Sequence, residues 1–168
     1  MPIQQQFRDA MSNLAAAVNV VTSGGEAGTV GLTATAVCSV TDSPATVLVC
    51  VNRNSASNQI FKDNGRICVN VCAAEHKEMS MHFAGMTGMA MEDRFQLPGW
   101  EFNQHGVPIL TDSLATLEGK IASVSEVGTH SVFLVEVESI TTTESDALVY
   151  FSREFKSVEA TRKMPEVA

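Results

Sequence analysis

No stretch of this chain approaches the roughly 20 consecutive apolar residues that a membrane-crossing helix needs. Its start, MPIQQQFRDAMSNLAAAVNVV, lacks the basic opening, apolar core and cleavage site of a secretory signal. A cytoplasmic location is therefore expected. Positive charge is also scarce: 11 Lys and Arg stand against 19 Asp and Glu, a formal net charge of -8. Such a surface repels a nucleic-acid backbone, so neither nucleic acid nor membrane is an expected partner. An anionic ligand has to be held locally, by backbone N–H groups, hydroxyls and a few cations.

Several chemical fingerprints are missing as well. No G-x-G-x-x-G follows a strand and opens a helix, and there is no P-loop, which removes the two commonest nucleotide cradles. The four cysteines, Cys38, Cys50, Cys68 and Cys72, lie in β-branched runs such as VLVCV and ICVNVCA, where a thiol behaves as a small buried hydrophobe. Cys68 and Cys72 are spaced C-x3-C, which fits neither a redox pair nor a zinc knuckle. Buried thiols are expected, with no metal and no disulfide. No Ser/His/Asp order, close carboxylate pair or H-E-x-x-H helix is present, so hydrolytic machinery is not visible. With so few titratable groups, a borrowed cofactor has to carry any chemistry.

What is present is one domain's length, 168 residues, taken as a single domain over 1–168. Phe7, Met11, Leu14 and Val18 recur at helical spacing, predicting a helix over about 4–16 that turns into a strand by AVNVVTS. GGEAG makes a turn, GLTATAVCSV reads as a second strand and ATVLVCVN as a third, in a meander. A short helix ended by Gly65, a strand RICVNVCA and a helical EHKEMSMHFAG follow. GMTGMAMEDRFQLPGW is long and irregular, and three further strand regions lead to a final strand, ALVYFSREF. Seven or eight short strands with few helices predict a mainly β chain, an antiparallel barrel rather than βαβ units.

Four stretches carry candidate chemistry. In GLTATAVCSV, Thr33, Thr35 and Ser39 alternate with small residues, which suits either a solvent face or the edge of a flat ligand. In NRNSASN, Asn52, Ser55 and Ser57 can cradle a phosphate without much positive charge, although such residues are ordinary in loops. His130 opens a strand directly after Gly128 and Thr129. LVYFSREF gathers Tyr150, Phe151 and Arg153, and holds the chain's only tyrosine.

The ordered set GLTATAVCSVTDSP, VCVNRNSASN, HFAGMTGMAMEDRF, VGTHSVFLVEV and LVYFSREF resembles the short-chain flavin reductases, the reductase components of two-component flavin monooxygenases. The resemblance runs from about Phe7 to Phe155. FRDAMSNLAAAVNVVT and HFAGMTGMAMEDRF look closest to the branch serving 4-hydroxyphenylacetate 3-monooxygenases, while the pyrimidine-utilisation branch differs in the Met-rich loop.

That resemblance implies an FMN-binding split barrel of antiparallel Greek-key type, homodimeric, reducing FMN or FAD with NADH or NADPH for a separate oxygenase. It implies flavin contacts from Thr33, Ala34, Thr35, Ala36 and Val37, continued by Ser39 and Val40. The phosphate falls to Asn52, Ser55 and Ser57, and Phe83 and Gly85 close over the ring. His130, in a Gly128-Thr129-His130 version of the family's G-D-H or G-S-H signature, is implied to bind the nicotinamide nucleotide, with Tyr150, Phe151 and Arg153 beside it. No side chain is required as acid or base. The rival readings are a barrel that holds flavin or haem without turnover, and a reductase serving another oxygenase.

Overall fold

The computed structural model describes residues 1–161. The last seven positions of the expected domain, 162–168, lie outside the described residues. In chain order the elements are α1 (Ile3–Met11), β1 (Ala16–Ala17), β2 (Asn19–Ser23), β3 (Val30–Ala34), β4 (Val37–Asp42), β5 (Ala45–Asn52), α2 (Ala56–Asn64) and β6 (Arg66–Val71). Then follow α3 (Lys77–Phe83), α4 (Met91–Arg94), β7 (Trp100–Phe102), β8 (Pro108–Leu110), β9 (Ala115–Val127), β10 (His130–Thr142), β11 (Ala147–Phe151) and β12 (Glu154–Val158). The chain is mostly β and antiparallel, as expected. No helix among the described residues is long and apolar enough to cross a membrane.

Seven strands form one sheet in the order β3-β2-β6-β9-β10-β5-β4. Its two edges, β3 and β4, are consecutive in sequence and joined only by Thr35 and Ala36. A two-residue link can connect opposite edges only if the sheet curls round until they meet, which makes this a split barrel. The expected single strand GLTATAVCSV is therefore two strands, and the expected meander is broken there. Alternation in composition gave no sign of that break, because both halves favour extended backbone.

β2 explains why its neighbours read as unbroken apolar runs. Every residue of NVVTS is buried, because the strand is a wall between two cores. On one side Val21, Ile67, Val69, Val49 and Phe133 fill the barrel, plugged by Phe61 from α2. On the other side Val18, Val20 and Cys72 meet Phe83, Phe95 and Leu148, under α3, α4 and the small sheet β1-β11-β12. Asn70, fully buried in that wall, donates to the Val20 carbonyl at 2.9 Å and accepts the Leu110 N–H at 2.8 Å, which fixes β8 to the barrel. Leaving such a buried amide unpaired costs about 1–3 kcal/mol, so the site demands its partners.

Local signals set the helix ends. Ser55 caps α2 by accepting the Ser57 N–H at 3.3 Å, and Gly65 closes it in a left-handed conformation at φ 70°. α1 is shorter than the spacing predicted, since Ser12 and Asn13 both bend back to the Asp9 carbonyl. Its apolar side is not core: Phe7 and Met11 are 61% and 45% exposed. The final strand is instead a hairpin, β11 and β12, turned by Ser152 and Arg153 at φ 51° and 64°. The irregular Met-rich stretch contains α4 and reaches β7. Two of the four thiols depart from expectation, Cys38 being exposed and Cys50 half-buried. Both sit on the outer side of the edge ladder β4-β5, where the core does not reach.

β9 and β10 are the longest strands, and their register shifts twice near Val135 and Ser139. Gly119 lies in that bulged region, where an added Cβ meets the Glu136 carbonyl oxygen at 1.9 Å. The obstacle is backbone, so it cannot rotate away. Gly119→Ala is expected to destabilise the fold by about 3 kcal/mol or more. Thermal unfolding of the variant measures this, and a melting temperature equal to the parent's is the contrary result.

Candidate functional site

The link between the sheet's edges is also where the cavity opens. The Val37 N–H donates to the Thr35 carbonyl at 2.9 Å, closing a tight turn about Ala36, and the Cys50 N–H donates to the Ala36 carbonyl at 3.0 Å. Among the described residues β3 pairs only with β2, and β4 only with β5, so each leaves backbone groups along one side unpaired. Over this seam lies a cavity of about 500 Å³, within the usual range for small-molecule sites.

The cavity gathers most of the residues singled out from sequence. Thr33, Ala34, Thr35 and Ala36 line it from the seam, Asn52, Ser55 and Ser57 from the turn entering α2, Phe83 and Gly85 from the end of α3, and His130 from the start of β10. Asn52 and His130 are register partners across β5 and β10, which is how residues so distant in sequence meet.

Individual side chains divide the work. The Thr33 hydroxyl donates to the Ser80 carbonyl at 2.6 Å, so it ties β3 to α3 and is not free for a ligand. Asn52 is similarly engaged, accepting the Asn54 N–H at 2.8 Å. Ser57 is 4% exposed, and its hydroxyl makes no hydrogen bond among the described residues, leaving it for whatever enters. The start of α2 adds the Ala56 N–H, unpaired among the described residues, and the positive end of the helix dipole. Underneath, buried Asn58 donates to the Ser131 hydroxyl at 3.0 Å, and Glu126, held below the usual carboxylate range chiefly by Lys62, accepts from the same hydroxyl at 2.8 Å. This network fixes β10 beside α2. His130 holds its own Nδ1 against Thr129 Oγ1 at 2.9 Å.

Several sequence candidates stand elsewhere. Val37, Ser39 and Val40 follow the seam on β4 and do not line the cavity. Tyr150 lines an adjoining cleft of about 190 Å³ that shares Thr33, Thr35 and Ala84 with the main cavity. Tyr150 and Arg153 together line another, with Arg8 and Thr35, and the Arg153 guanidinium pairs with Asp9. Phe151 is exposed and borders none of these clefts. Two lining residues escaped sequence reading, Met91 and Arg94. Arg94 donates from Nε to the Met89 carbonyl at 3.0 Å, stacks 5.7 Å from the centre of the Phe83 ring, and makes no ion pair among the described residues. The signal was available: Arg94 is the sole cation in GMTGMAMEDRFQLPGW, in an acidic chain whose anion sites need one. No group of three or more His, Cys, Asp or Glu among the described residues is placed to hold a metal.

Residues 11–159 match the flavin reductase like domain. The chain belongs to the flavin reductase family. It is 56% identical over 163 residues, 96% of each chain, to the 4-hydroxyphenylacetate 3-monooxygenase reductase component of Pseudomonas aeruginosa. It is 43% identical over 156 residues to an FMN reductase (NADH) of Serratia proteamaculans, covering 92% of this chain and 88% of that one. An NADH:FAD oxidoreductase of Streptomyces globisporus, solved with NAD and FAD fragments, superposes with a TM-score of 0.83 at 28% identity, covering 98% of this chain and 95% of that one. The split barrel is thus the fold of this flavin reductase family as well as of the chain.

One glycine positions the cavity's roof. A Cβ on Gly31 meets Phe83 Cε1 at 2.9 Å, and the Phe83 ring is confined by Phe95 and Trp100, with centroids 5.1 and 5.3 Å away. Gly31→Ala is expected to cost about 1–3 kcal/mol and to lift Phe83 from β3. Combining it with Phe83→Leu should recover part of that loss in a double-mutant cycle of unfolding free energies. Strict additivity of the two changes is the result that removes this contact from the account.

Proposed function

We propose that this protein binds FMN or FAD in the seam cavity, reduces it with NADH, and releases it to a separate monooxygenase component. The observation that carries this reading is a single cavity joining the seam backbone, the start of α2 and His130. Small residues at Gly31, Ala34, Ala36, Ala56 and Ala84 leave space for a flat ring system, which fits an isoalloxazine. The relative from Pseudomonas aeruginosa supports an oxygenase acting on 4-hydroxyphenylacetate, and the FMN reductase (NADH) relative supports the nucleotide.

When bound, flavin supplies the hydride-accepting centre. The chain's own residues hold and orient the reactants, which by itself is worth on the order of several kcal/mol. Backbone N–H groups along residues 33–36 would meet the ring edge where negative charge gathers on reduction, with the Val37 N–H holding the turn by its bond to the Thr35 carbonyl. Ser55, Ser57 and the Ala56 N–H would take the phosphate, with Asn52 shaping the turn and Arg94 adding a cation from the cavity wall. Phe83 and Gly85 close over the ring, and Val37, Ser39 and Val40 continue the edge. His130 orients the nicotinamide nucleotide, with Tyr150, Phe151 and Arg153 bordering its path. No side chain acts as general acid or base.

The chain is further proposed to be a single cytoplasmic domain that works as a homodimer. Support for the dimer is the apolar side of α1, where Ile3, Phe7 and Met11 face solvent, together with exposed Leu14 just after it and Val40 beyond the seam. A chain with ample polar residues leaves such a strip uncovered where another surface meets it.

Mixing the protein with NADH and either FMN or FAD should give flavin-dependent loss of nicotinamide absorbance, and no loss with either flavin ends the reading. His130→Ala is expected to raise KM for NADH roughly tenfold with flavin affinity nearly unchanged. Weakened flavin binding in that variant reassigns His130. Ala36→Pro is the sharper test of the seam. Ala36 donates no hydrogen bond among the described residues and sits at the centre of a tight turn that suits proline. The melting temperature should hold within a few degrees while flavin affinity falls about tenfold or more. Unchanged flavin binding means the seam backbone is not the flavin's edge.

A further inference from the structure

A second cavity, about 530 Å³, lies on the other side of α3 from the flavin pocket. Glu75, Glu78 and Asp112 stand on its rim, and among the described residues neither Lys nor Arg lines it. Met79 and Leu110 supply apolar floor. Carboxylates alone are common on a solvated face, and the feature that distinguishes this cavity is His82. It is 8% exposed and lines the cavity, and its Nδ1 is engaged by Thr87 Oγ1 at 2.6 Å. Its Nε2 lies 3.8 Å from Glu78 Oε1, too far for a hydrogen bond, and has no hydrogen-bond partner among the described residues. A nine-tenths buried imidazole thus presents an unpaired nitrogen to a cavity ringed by negative charge.

From this geometry we propose a second binding site, for a small organic cation: a primary amine with an apolar body. The ammonium donates one hydrogen bond to His82 Nε2 beside Glu78, while Glu75 and Asp112 attract it from farther along the rim and the body covers Met79 and Leu110. An anion is repelled by the rim, and a neutral molecule gains nothing from it. A bare metal ion lacks a placed ligand set among the described residues.

The site is wired to the loop over the flavin pocket. Thr87 lies between Gly85 and Gly88, both with positive φ, in the segment that follows Phe83. A donor at Nε2 fixes the His82 tautomer with its proton on Nδ1, which then donates to Thr87 Oγ1. Amine binding therefore sets the direction of the bond that anchors the loop. Met79 reinforces the link, since it lines this cavity and packs in the same core as Phe83. The expected result is tighter flavin binding, and reciprocity requires flavin to tighten amine binding by the same factor. The coupling rests on the flavin reading above, whereas amine binding does not.

Benzylamine is a suitable probe, with benzyl alcohol and benzoate as neutral and anionic controls, titrated calorimetrically into the protein with and without saturating FMN. Benzylamine should bind one site with a dissociation constant on the order of 1 mM, improved roughly fivefold by FMN. Glu78→Gln with Asp112→Asn should weaken it about tenfold or more. Both side chains are exposed, and Asn tolerates the left-handed backbone of Asp112, so the fold should survive. Thr87→Val should leave benzylamine binding intact and abolish the FMN effect. The site is overturned if benzylamine shows no saturation by roughly ten times that concentration, if benzyl alcohol or benzoate binds equally, or if the double variant binds as the parent does. The coupling is overturned if FMN binds yet leaves benzylamine affinity unchanged. Absence of FMN binding altogether counts against the proposed function, while the amine titration still decides the site.

Discussion

The rest of the molecule depends on one geometric constraint, that Thr35 and Ala36 alone join the two edges of a seven-stranded sheet. A connection so short leaves the sheet no choice but to curl, and the curl creates the barrel interior filled by valines and two phenylalanines. It also leaves two unpaired strand edges facing one another. Elsewhere such edges invite aggregation. Here the β3 edge and the Thr35-Ala36 link line the cavity, so backbone the sheet leaves unpaired is backbone a ligand can use. The second core follows from the same arrangement, because β2 and β6 must be covered on their outer face, and α3, α4 and the β11-β12 hairpin do so.

Electrostatics reinforce that division between scaffold and site. Most of the cations near the cavity are tied to carboxylates: Arg53 and Lys62 share Glu126, and Arg153 holds Asp9. Farther round the barrel, Arg66 bridges buried Glu118 and exposed Glu138, which keep its guanidinium firmly charged. A pair as enclosed as Arg66 with Glu118 specifies register more than it adds stability. Arg94, in contrast, keeps its Nη groups out of any ion pair among the described residues. In a chain of net charge -8, phosphate affinity then comes mainly from N–H groups and hydroxyls, which suits a ligand that must also leave.

Much of this was legible from residues in order. Gly65 and Ser55 announced the ends of α2 because capping is local chemistry, and the β-branched runs announced strands for the same reason. The missing Rossmann and P-loop fingerprints pointed away from the usual nucleotide folds, and the ordered motifs pointed to a flavin reductase. Other features depended on neighbours far away in sequence. Phe7, Met11 and Leu14 have the spacing of a core-facing helix, but spacing cannot say whether another element arrives to cover it. Thr33 looked like a ligand hydroxyl, yet the Ser80 carbonyl took it. Tyr150 and Arg153 do share a cleft, yet the β11-β12 hairpin sets it beside the main cavity and not within it.

The sequence by itself determined the class of fold, the capped turn into α2, and the family to which the chain belongs, because periodicity, caps and ordered motifs are properties of neighbouring residues. Only the tertiary structure decided that GLTATAVCSV breaks at Thr35 into opposite edges of one sheet, and that Arg94 and His130 share its cavity. Which edges meet, and which side chain reaches a carbonyl first, are fixed by long-range pairing. No local pattern encodes that choice.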